Sequence, residues 1–71
     1  MVQVGDIIHI NFMSGEPDYE GREGVVRSID SLGQLHGSWG GLAVIPGVDN
    51  FSIIARGVEN FSIIAHAESK E

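Results

Sequence analysis

Three histidines, three arginines and two aromatic side chains are the groups in this sequence with chemistry to offer. His9, His36 and His66 fall on separate predicted strands with no metal-ligand spacing, so each reads first as a solvent-facing strand residue. Arg22, Arg27 and Arg56 could each grip a phosphate or carboxylate through paired N–H donors. Against a formal charge of −6, salt bridges within the chain are their simpler use. Glu16, Asp18, Glu20 and Glu23 supply oxygen ligands, but without the Asp-x-Asp-x-Asp-Gly order or terminal glutamate of a calcium loop. Serine, histidine and aspartate all occur, yet no nucleophile elbow or metalloprotease motif surrounds them, and the chain reads as a non-enzyme with no cofactor. Tyr19 and Trp39 could line a groove, since small barrels bind peptides on aromatics beside a long loop. Trp39 also shares a face with Leu35 and reads equally as core. The candidate ligand- or partner-contacting residues are therefore Tyr19, Arg22, Arg27, His36, Trp39 and Arg56.

Such residues need strands to hold them. In DIIHINFM, Asp6–Met13, residues Ile8, Ile10 and Phe12 share one face and His9 and Asn11 the other, which predicts a half-buried strand. Ser14–Gly24 is polar, carries Pro17 and several glycines, and reads as a long loop. Val25–Asp30 is a second predicted strand and Gln34–Trp39 a third, with a turn at Gly33 between them. Gly40-Gly41 is the expected two-residue hairpin leading into a fourth strand, Leu42–Ile45, which Pro46 ends. Phe51–Ala55 makes a fifth. No window carries an amphipathic helical period. Five short strands with a long first loop predict an all-β, SH3-like five-stranded barrel with an extra C-terminal strand, since closure hides strand edges.

Seventy-one residues make one small domain, which buries roughly 60% of its unfolded surface. With no cysteine, neither a disulfide nor a thiolate metal site can staple it. Ten acidic residues against four basic ones argue against direct nucleic-acid binding, which needs Lys and Arg to displace counterions. No segment approaches the ~20 apolar residues that span a bilayer, and no membrane association is expected. The beginning of the chain has neither a basic leader nor a long apolar run, so a cytoplasmic location is expected.

The stretch Gly33-Gln34-Leu35-His36, then Trp39, then Leu42-Ala43-Val44-Ile45-Pro46-Gly47-Val48-Asp49 resembles a small bacterial and phage family known only as a domain of unknown function. The similarity runs from Val2 to about Ile54. An SH3-like barrel and a bacterial host cell are what the resemblance implies, and no catalytic residues come with it. This chain departs from the family in having only Gly40-Gly41 after the tryptophan and in running past the first FSII.

That departure is a ten-residue phrase written twice. Val-acidic-Asn-Phe-Ser-Ile-Ile-Ala spans Val48–Ala55 and returns at Val58–Ala65, with Asp49 becoming Glu59. FSIIA is apolar, β-prone and free of proline, so leaving it exposed invites edge pairing. The second copy is expected to be buried within the subunit or in a homo-oligomer, with Phe61, Ile63 and Ile64 as its oligomerisation residues. The chain thus divides into a barrel at 1–55, a duplicated strand at 56–66 and a tail at 67–71 expected to fray.

The function expected from these features is a self-associating, non-enzymatic binding module that docks on a protein partner. One alternative is a phage or mobile-element counter-defence protein. It would sequester a nucleotide or other small anionic ligand at oligomer interfaces, or block a nucleic-acid-binding effector. Another is a purely structural accessory subunit.

Overall fold

The structure, a computed structural model, describes residues 1–57. The second NFSIIA with Phe61, Ile63, Ile64 and His66, and the tail at 67–71, lie outside the described residues. Strands run at Ile7–Phe12 (β1), Glu23–Ile29 (β2), Leu35–Gly37 (β3), Gly40–Val44 (β4) and Asn50–Ala55 (β5), with a 3-10 turn at Pro17–Tyr19. They form an antiparallel sheet in the order β4-β3-β2-β1-β5. The fold is therefore all-β, as the alternating pattern predicts. Closure into a barrel is not among the described pairings, and β4 and β5 stand at opposite edges.

Strand β2 serves two ladders. Glu23, Gly24 and Val25 pair with His9, Ile8 and Ile7 of β1, whereas Val26, Ser28 and Ile29 pair with Gly37, His36 and Leu35 of β3. The core lies beneath this handover: Ile8, Ile10, Met13, Val26, Leu35, Trp39 and Val44, flanked by Val2, Tyr19, Phe51 and Ile53.

Two sequence expectations change here. Phe12 does not continue the face of Ile8 and Ile10. The β1–β5 register slips between Ile10 and Phe12, which leaves Phe12 48% exposed and lets Met13 enter the core. The hairpin between β3 and β4 turns at Ser38-Trp39, with Gly37 paired to Gly40, rather than at Gly40-Gly41. The reason is the indole of Trp39, which folds back over the backbone of Gly24 and Gly37, where a Cβ would collide with it. Buried there, Trp39 satisfies its ring N–H by donating to the Leu42 carbonyl at 2.8 Å.

Two buried carboxylates pin the ends of β5. Asp49 accepts from the backbone N–H groups of Ser14 and Ile45, both at 2.9 Å, and so ties the long loop to the turn before β5. Asp6, 2% exposed, accepts from Gln3 N–H at 2.8 Å and Gly57 N–H at 3.0 Å, with the Arg56 guanidinium 3.7 Å away. Burial works to raise the Asp6 pKa. The two backbone donors, Arg56 and the amino terminus outweigh it and hold the carboxyl below its ordinary value.

Candidate functional site

The long loop brings three of the sequence-derived candidates together. Tyr19 sits on the 3-10 turn and packs against the core. The Arg22 guanidinium lies 4.1 Å from the centre of the Tyr19 ring, and its Nη1 donates to the Trp39 carbonyl at 2.9 Å. Gly40 makes this approach possible: its φ is 150°, and a Cβ there would sit 2.6 Å from the Tyr19 hydroxyl and 3.0 Å from Arg22 Nη1. The stack therefore clasps the loop onto the β3–β4 turn. Replacing Arg22 with alanine is expected to cost about 1–2.5 kcal/mol, the sum of an exposed cation–π contact and one hydrogen bond. Urea unfolding followed by Trp39 fluorescence measures it.

The other candidates lie apart from the clasp. His36 pairs through Nε2 with the Asp30 carboxylate at 2.9 Å. Asp30 also accepts from Leu32 N–H and Gln34 N–H, closing the β2–β3 turn. Its pKa is lowered, first by the His36 hydrogen bond and then by the Gln34 donor, against a smaller opposing effect of burial. Arg56 serves the Asp6 latch and donates to the Met1 carbonyl at 3.0 Å. Arg27 lies exposed on β2 and makes an interaction of its own. Phe61, Ile63 and Ile64 are outside the described residues. Among the described residues, no three His, Asp or Glu side chains gather as a metal ion would need, and no helix is long and apolar enough to cross a membrane.

A groove of about 400 Å³ opens at the corner between the long loop and the β4–β5 connection. Met13, Leu42, Ile45 and Val48 supply its apolar wall, and Glu16 and Asp49 its acidic groups. Leu42, Ile45 and Val48 are 41%, 37% and 56% exposed, which is a costly way to leave three large aliphatic side chains in a domain this small. Asp49 is already committed to Ser14 and Ile45, so Glu16 is the groove's acidic group with no such backbone ties.

Reasoning on the sequence passes over this groove. The signal available is LAVIPGV, Leu42–Val48, which holds more large apolar residues than a period-two strand can bury on one side. Once Val44 enters the core, Ile45 must point away from it, and the Pro46-Gly47 turn carries Val48 out as well.

No protein-family model, curated protein or solved structure matches the chain. The functional reading therefore rests on the groove, the sheet edge beside it and the charge.

Proposed function

We propose that the five strands act as a small SH3-like barrel whose role is to dock an extended peptide segment of a protein partner, without catalysis. The barrel reading is supported by the division of β2 between two ladders and by the long loop between β1 and β2. The observation that carries the docking reading is the apolar groove lying against an edge strand. Leu42 and Ala43 of β4 line it, and β4 has no further strand on its outer side among the described residues. A peptide can add to that edge through backbone hydrogen bonds while alternate side chains enter the groove. Apolar residues suit Leu42, Ile45 and Val48. A lysine or arginine suits Glu16 and the net charge of −6.

The test is selection of short peptides from a display library against the full chain, followed by fluorescence polarisation. Selected sequences are expected to alternate apolar residues and carry a basic one. Val48→Asp should weaken them about 10- to 100-fold, the equivalent of losing one buried aliphatic side chain at about 1.5–3 kcal/mol. Peptides that bind wild type and Val48→Asp equally would sink the reading.

A further inference from the structure

The second NFSIIA repeats every side chain that β5 uses. In the first copy, Phe51 and Ile53 pack on the core, while Asn50 and Ser52 bond Asn11 Nδ2 at 2.7 and 2.9 Å. Residues Asn60–Ala65 carry the same six side chains in the same order. The flanks differ. Asp49 is replaced by the longer Glu59, and Arg56-Gly57 by His66-Ala67. Those flanking residues are the ones that fasten β5. The Asp49 carboxylate reaches two backbone N–H groups, and Gly57, with φ of 60°, gives its N–H to Asp6. Alanine at that point would have to adopt a left-handed conformation it disfavours. The first copy therefore keeps the β5 position, and the second must find another.

The outer edge of β5 is open among the described residues. The second copy of the same chain is poorly suited to reach it. Phe51, Ile53 and Ala55 are half-buried on the core side, and Ser52 and Ile54 face outward. Partners across a ladder share a face. A two-residue turn at Arg56-Gly57 would set Ile53 opposite Asn60 and Phe51 opposite Ser62, turning Phe61 and Ile63 out to solvent. A three-residue loop over Arg56, Gly57 and Val58 restores the faces. It then demands a left-handed conformation at its third residue, the β-branched Val58. A five-residue loop over residues 56–60 also keeps the faces, but it takes Asn60, the counterpart of Asn50, out of the strand. Gly57, moreover, is already tied to the N-terminal turn through Asp6.

We infer that Asn60–Ala65 adds antiparallel to the outer edge of β5 in a second copy of this chain, in a reciprocal two-fold dimer. The register sets Ile53 against Phe61, Phe51 against Ile63, and Ser52 against Ser62. This surface lies at the opposite edge of the sheet from the peptide groove, so the two proposals stand or fall separately. A reciprocal exchange of this kind covers both open β5 edges at once.

The chain has no cysteine, so the pair Ser52→Cys and Ser62→Cys introduces the only thiols. Full-length chains carrying both substitutions, one batch isotopically heavy, are mixed, equilibrated and oxidised. Peptide mapping is expected to find Ser52 peptides of one isotope joined to Ser62 peptides of the other. Wild type is expected to sediment as a dimer. Ile63→Asp is expected to sediment as a monomer with an unchanged Trp39 circular-dichroism signal. A wild type that is monomeric at every concentration, crosslinks confined to single chains, or a dimer that survives Ile63→Asp would each overturn the inference.

Discussion

Gly37→Ala is expected to cost about 3 kcal/mol or more, a large share of what holds this domain folded. A methyl group on Gly37 would fall inside the surface of the Val25 carbonyl oxygen and of Cζ3 of Trp39, and 2.7 Å from Cη2 of the same ring. Neither obstacle can retreat cheaply. The Val25 carbonyl already accepts the N–H of Ser38, and the indole is 3% exposed with its own N–H committed to Leu42. Overpacking a core costs about 1–3 kcal/mol and sometimes more, and here both backbone and ring oppose the added atom. A domain of this length has roughly 4–10 kcal/mol in total, at about 0.05–0.15 kcal/mol per residue. Gly41→Ala is the control. Nothing lies within 4 Å of a Cβ there, and alanine restricts the unfolded chain, so stability should hold or rise slightly. Urea unfolding of both variants decides the matter, and two equally stable proteins would mean that the tryptophan does not pack as described.

Asp6→Ala carries the second large effect, a loss of about 2–3 kcal/mol. It strips the acceptor from two backbone donors, those of Gln3 and Gly57, and the counter-charge from Arg56. The same carboxylate sets the acid limit. Its pKa is lower folded than unfolded, so its contribution is present above the ordinary value of 3.8 and is lost as pH falls through the lower, folded one. Asp30 acts in the same direction, through His36 and the turn donors. The stability these two carboxylates contribute should therefore be fully present above about pH 5 and be lost progressively below about pH 4. Asp6→Ala should start lower and fall less. Parallel curves for the two proteins would remove Asp6 from the account.

The strands were legible in the sequence because period-two alternation and Gly-Pro punctuation are local signals. All five predicted strands correspond to observed ones, within a few residues at the ends. What was illegible depended on contacts across the fold. Nothing near Trp39 in the chain says that its ring will fold back over Gly24, so the sequence points to the more obvious hairpin at Gly40-Gly41. The buried carboxylates were equally hidden. Asp6 and Asp49 look like surface residues until the backbone N–H groups of distant segments are brought to them. Tyr19 and Arg22 stand out individually in the sequence, but their stacking depends on the 3-10 turn, which the polar loop does not announce.

The pairing of β1 with β5 joins residues some forty positions apart, as in Ile10 with Phe51. A nascent or refolding chain therefore offers β1 two chemically identical partners, ten residues from one another. Loop-closure entropy separates them by only about 0.2 kcal/mol, too little to choose. The choice falls to the bonds of Asp49 with Ser14 and of Gly57 with Asp6, which span the fold and can form only after a strand has docked. Early encounters with β1 are then unselective, and the correct strand is fixed by rejection of the other. A slow refolding phase that vanishes when residues 58–71 are deleted would be the kinetic mark of that sorting.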